Sequence, residues 1–130
     1  MTDDLLGLTC EALILQQFWL KDKLVSEVNM LHFKATCGRC YGIYLNDEDY
    51  KCKVVPEEGL PTDLGFDEFR YPLIDLTDRY RLHSQSVISC EQELIFAHNV
   101  TFVIMFRNLS KVVLCHEFAT EQETIELVAE

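Results

Sequence analysis

Hydrophobic positions change their period twice along this chain. From Asp4 to about Val28, Leu8, Ala12, Leu15 and Trp19 recur at helical spacing, and Leu13, Leu20 and Leu24 widen the stripe, which predicts an N-terminal amphipathic helix. Asp3 or Asp4 would cap it, or Thr9 if Gly7 breaks the first turn. After Asn29 the period becomes two. Leu31, Phe33, Ala35 and Cys37 alternate with His32, Lys34 and Thr36, then Tyr41, Ile43 and Leu45 with Gly42 and Tyr44. Beyond the turn Asn46-Asp47-Glu48-Asp49, Tyr50, Cys52 and Val54 alternate with Lys51 and Lys53, so three strands form an antiparallel meander.

Pro56 to Arg70 reads as a loop, punctuated by Pro56, Gly59, Pro61 and Gly65 and holding Glu57, Glu58, Asp63, Asp67 and Glu68. Strands follow at Val87 to Cys90, Glu93 to Ala97, Val100 to Phe106 and Lys111 to Phe118, with His98-Asn99 and Arg107 to Ser110 as turns. Val100 to Phe106 is apolar on both faces and therefore central. Thr120-Glu121-Gln122-Glu123 has the form of a capping box, which predicts a last short helix through Ile125, Leu127 and Val128. The expected fold is α+β. An N-terminal helix packs on a mainly antiparallel sheet or partly open barrel of about six or seven strands, closed by a short C-terminal helix. Residues 1–130 read as one globular domain, which could equally be the N-terminal domain of a longer protein.

Composition narrows the function classes. At 130 residues with 48% hydrophobic content the chain can bury a core without staples. No apolar run approaches the roughly 20 residues that span a bilayer as a helix, and the opening Met1-Thr2-Asp3-Asp4 is unlike a secretory signal. A cytoplasmic or nuclear location is the simplest expectation. In that setting the six cysteines are expected to be free thiols, with Cys10, Cys52, Cys90 and Cys115 packed as small hydrophobes.

A net charge of -11 repels phosphate backbones. The nearest approach to a nucleic-acid patch is Arg70, Tyr71, Arg79, Tyr80 and Arg81, where Asp75 and Asp78 cancel much of the field. Single-strand binding through those five residues is therefore an alternative, and nucleic acid is not the expected partner of the isolated domain.

Cys37-Gly38-Arg39-Cys40 is the one stretch resembling a chemical signature. Zinc would require a second ligand pair, and the sequence has no further Cys-x-x-Cys and no spaced histidine pair, so no metal or other cofactor is expected. "LHFKATCGRC" resembles the strand and active-site turn of the thioredoxin family, and "TFVIMFRNLSKVVLCHEFATEQETIELV" is similar to its closing hairpin and helix. That resemblance implies a thiol-disulfide protein using Cys37 and Cys40, with the first thiol activated at a helix N-terminus. Here Tyr41-Gly42-Ile43-Tyr44 alternates like a strand, Thr36 replaces the family's aromatic residue, and Val100 replaces its hairpin proline. The residues themselves favour a type II′ hairpin turn with Gly38-Arg39 at its corners.

No other catalytic pattern stands out. Ser84, Ser86, Ser89, His83 and His98 lack nucleophile-elbow spacing, and the glycines match no phosphate-binding loop. The expectation is a non-enzymatic protein-protein interaction module or adaptor subunit of an intracellular assembly. It would bind another protein, or itself, through Phe18 and Trp19 on the first helix.

Overall fold

In a computed structural model the chain forms two antiparallel sheets, and no helix occurs among the described residues. The structure describes residues 4–46, 51–61, 64–79, 81–95, 99–117 and 122–128. The larger sheet is built from β1 (Cys10–Leu20), β2 (Lys23–Ala35), β3 (Cys40–Asn46), β4 (Lys51–Glu57), β5 (Leu64–Phe66), β6 (Phe69–Tyr71) and β7 (Leu73–Asp75). Its order is β4-β3-β2-β1-β6-β5, with β7 also beside β1. The smaller sheet contains β8 (Val87–Ile95), β9 (Asn99–Phe106), β10 (Lys111–Glu117) and β11 (Gln122–Val128), in the order β11-β10-β9-β8.

One hydrophobic cluster joins the sheets. Leu13, Leu15, Leu31, Phe33 and Ile43 from the larger sheet meet Val87, Phe102, Ile104, Phe106, Val112 and Leu114 from the smaller one. Each such side chain stabilises the fold by about 1.5–3 kcal/mol when fully buried, so this layer dominates the stability of the sandwich. Backbone hydrogen bonds tie one end: Gly7 N–H to Val87 O, Val87 N–H to Leu8 O, Cys10 N–H to Gln85 O, and Ser84 N–H to Cys10 O.

The predicted N-terminal helix is overturned, because its residues form the β1-β2 hairpin. Ala12 to Leu15 and Phe18 to Leu20 are apolar at successive positions, as in a strand covered on both faces, and such a run also satisfies helical spacing by coincidence. The hairpin turns at Lys21 and Asp22, whose φ angles of 50° and 63° are those of a two-residue type I′ turn. Neither residue is glycine, and the usual sequence signal is therefore missing.

The predicted C-terminal helix is likewise replaced by β11, which pairs along β10 from Lys111 opposite Val128 to Glu117 opposite Gln122. Thr120 and Glu121 of the expected capping box lie outside the described residues, as do Asp47 to Tyr50 and His98. Pairing with β10 satisfies a row of backbone groups along the whole segment, whereas a short isolated helix gains little from its cap. The fold is therefore all-β.

The meander β2-β3-β4 agrees with its sequence pattern. Two expected strands merge as β8, and the expected acidic loop contains the hairpin β5-β6, turning at Asp67-Glu68 with φ of 56° at Asp67. β9 is central in its sheet, yet its burial alternates: Val100, Phe102, Ile104 and Phe106 are buried, whereas Thr101, Val103 and Met105 are half-buried. Where β7 leaves β1, buried Thr77 closes the ladder by accepting Leu13 N–H at 2.7 Å. Losing that acceptor would leave a buried donor unsatisfied at a cost of about 1–3 kcal/mol.

Candidate functional site

Cys37 lies in the tight hairpin that joins β2 to β3. Gly38 N–H donates to Ala35 O at 2.9 Å and Ala35 N–H to Arg39 O at 2.8 Å. Thr36 and Cys37 are therefore the turn corners, and Gly38, with φ of 97°, follows them in the left-handed region that a three-residue loop with a bulge requires. The hairpin is as expected, but its corners lie two residues before Gly38-Arg39. Cys40 is buried and lies opposite Lys34, while Cys37 is exposed, so the two cysteines do not form a facing pair across a rung. β3 follows Cys40 where the thioredoxin-like reading requires a helix, and the dipole that would activate a thiol is missing there.

On the outer face of the larger sheet, Gln16, His32 and Glu57 form a polar chain. His32 is buried; its Nδ1 donates to Glu57 Oε1 at 2.7 Å, and Gln16 Oε1 lies 3.4 Å from Nε2. Gly42 makes room for it, since a Cβ there would collide with Met30 Cε and come within 2.9 Å of the Glu57 carboxylate. A histidine-carboxylate pair can act as a general base only when its second nitrogen reaches substrate. Here Gln16 Oε1 lies against that nitrogen on a buried ring, so His32 does not present it to open space. Sequence reasoning placed His32 on a strand but could not foresee Glu57 crossing over from β4.

The distal end of the larger sheet brings expected residues together. Phe18 stacks on Phe69 with ring centroids 6.1 Å apart and on Tyr71 at 5.1 Å, with the planes within 9° and 19° of parallel. Trp19 pairs in register with Arg70 and donates its indole N–H to Gln17 Oε1 at 3.1 Å. Trp19, Asp22, Arg70 and Pro72 line a hollow of about 330 Å³. Lys21, Asp22, Asp67, Glu68 and Arg70 line a more polar neighbour of about 400 Å³.

This end lies beyond the core cluster and also carries Leu24, Val25 and Phe69, exposed by 46%, 56% and 37%. Phe69 and Val25 were not singled out in the sequence and Leu24 was read only as part of a helix's apolar stripe, because their exposure depends on which strands end there. Leu6, Ile88 and Leu109 are exposed as well, but they are aliphatic and have no stacked rings among them.

Arg79 and Arg81 do not join Arg70 and Tyr71. They follow Thr77, which is bonded to Leu13, whereas Arg70 pairs with Trp19 six residues further along β1. At ~3.4 Å per residue the two groups are anchored roughly 20 Å apart. Tyr80 lies outside the described residues. The five-residue nucleic-acid patch is therefore divided.

Among the described residues, no cluster of three or more His, Cys, Asp or Glu is placed to hold a metal ion. None of the described segments is a helix long and apolar enough to cross a membrane. No family model, curated protein or solved structure matches this chain, so its functional reading rests on its own geometry.

Proposed function

We propose that the protein is a non-enzymatic binding module that engages a protein partner through the distal end of β1, β2, β5 and β6. The observation that carries this reading is the Phe18-Phe69-Tyr71 stack, which lies outside the core with Phe69 exposed. Aromatic residues and arginine dominate the energetics of many interfaces, because each buries a large area while ordering few torsions. Stacking orders these rings before any partner arrives, which lowers the entropic cost of association.

Photo-crosslinking tests the reading. A photoreactive amino acid at Leu24 or Val25 should give discrete protein adducts in cells, whereas the same group at Ile88 on the smaller sheet should not. Adducts from Ile88 with none from the distal end would refute it. A single nucleic-acid strand is the second reading, favoured by Arg70 lying beside Trp19 at the same end of the sheet where Tyr71 stacks on Phe18.

A further inference from the structure

We infer that the end of the sandwich opposite the aromatic stack docks on an anionic lipid bilayer as a peripheral contact; this goes beyond the protein-binding reading and does not depend on it. Four of the chain's five arginines stand at that end. Arg39, Arg79, Arg81 and Arg107 are all exposed and all lie in connections between strands.

Backbone hydrogen bonds fix their placement. Thr36 N–H donates to Thr9 O and Gly7 N–H to Val87 O at 2.9 Å, while Ser84 N–H donates to Cys10 O and Arg107 N–H to Ser86 O at 2.8 Å. These bonds join the β2-β3 turn, the segment before β1, the β7-β8 connection and the β9-β10 turn around one end of β1. The exposed aliphatic residues away from the distal end, Leu6, Ile88 and Leu109, belong to the same region. Leu6 precedes Gly7, Ile88 follows Val87, and Leu109 N–H donates to Phe106 O within the β9-β10 turn.

Charge selects the occupant. Among the described residues none of the four guanidinium groups is in an ion pair. With Lys111 they outnumber the acids of the same connections, Asp4, Glu58 and Asp78, whereas Glu11, Glu57 and Asp75 nearby are engaged by Lys34, His32 and Thr77 N–H. The protein's net charge of -11 therefore resides elsewhere. β1 alone has 11 residues, roughly 35 Å at ~3.4 Å each, and screening acts within about 8 Å in physiological salt, so acids at the distal end do not oppose an anionic surface at this one.

Free guanidinium forks fit phosphate and carboxylate groups, and here they are spread over turns of both sheets, which suits a broad surface rather than one small anion. A nucleic-acid backbone offers the arginines the same phosphates but gives Leu6 and Leu109 nothing. A bilayer takes both, with basic groups at the headgroups and aliphatic side chains beneath them.

Co-sedimentation with vesicles of phosphatidylcholine alone, or of phosphatidylcholine mixed with phosphatidylserine, tests the proposal in roughly 150 mM salt. The protein should pellet with the anionic vesicles and stay in solution with the neutral ones. Arg81→Asn/Arg107→Ser should weaken binding about 25-fold, roughly fivefold for each arginine, and Leu109→Asn should weaken it several-fold. Arg81 and Leu109 have φ angles of 55° and 71°, which asparagine tolerates better than the native residues, so neither change should lower the urea midpoint. Arg70→Glu at the distal end should bind as wild type. Failure to pellet with anionic vesicles overturns the inference, as do equal pelleting with neutral ones and binding indifferent to the arginine variants. Capture of an acidic protein or an oligonucleotide by this end, without vesicle binding, also overturns it. The crosslinking test at Leu24 is unaffected by any of these results.

Discussion

Cys10 and Cys52 occupy positions where a thiolate is poorly solvated. Burial, helped by the Asp75 and Glu11 carboxylates, pushes the Cys10 thiol up to about 12, and burial with Cys90 nearby pushes Cys52 up to about 12. In the unfolded chain both ionise near their ordinary value of 9.0. The folded state thus holds protons that the unfolded state has released, and the stability this represents is present below pH 9 and lost as pH rises towards 12. Each thiol contributes a slope of up to about 1.4 kcal/mol per pH unit in that window. Urea unfolding from pH 8 to 11 should therefore fall less steeply for the Cys10→Ala/Cys52→Ala variant than for wild type. Alkylation under native conditions should reach exposed Cys37 while sparing Cys10 and Cys52. Equal slopes, or early labelling of Cys10, would contradict this account. The apolar neighbours of these cysteines were readable in the sequence; the carboxylate beside Cys10 comes from β7, sixty-odd residues away.

At the scale of elements, the β1-β2 hairpin shows why local pattern misled. Its corner residues Lys21 and Asp22 both have positive φ, a conformation that costs an L-residue other than glycine roughly 1–2 kcal/mol. Changing Lys21-Asp22 to Asn-Gly should relieve much of that strain and stabilise the fold by about 1 kcal/mol, read as a rise in the urea midpoint with an unchanged slope. A fall in the midpoint would show that the native pair has an interaction beyond the turn. The β2-β3-β4 meander was legible because each strand alternates and one face is buried, whereas β1 has too many apolar residues to reveal its period. The hairpin β5-β6 was hidden because three-residue strands are too short to show any period at all.

At the scale of the molecule, charge and geometry together govern what binds. The field of -11 opposes a polyanion, and the arginines that could offset it locally are divided between the two ends of β1's outer edge. Anisotropy with short labelled oligonucleotides in roughly 150 mM salt should therefore detect no binding tighter than about 100 micromolar. Micromolar binding abolished by Arg70→Glu would favour the nucleic-acid reading over the protein partner. The same experiment with Arg79→Glu separates the two arginine groups, since a site at the distal end leaves Arg79 without a role.

The sequence by itself determined the local rules: which segments between Leu31 and Val55 alternate, where the Cys37 turn falls to within a residue or two, and that the net charge disfavours nucleic acid. Tertiary structure decided the rest. Residues 10–20 became a strand because β2 satisfies one edge and β6 and β7 the other, partners that no local window contains. Phe18 and Trp19 kept their place in the candidate site although the helix proposed to carry them did not form. Their neighbours Phe69, Arg70 and Tyr71 arrive from some fifty residues along the chain, through strand pairing. Hydrophobic period is a property of one segment, but exposure and juxtaposition belong to pairs of segments, and those are settled only when the sheets close over a common core.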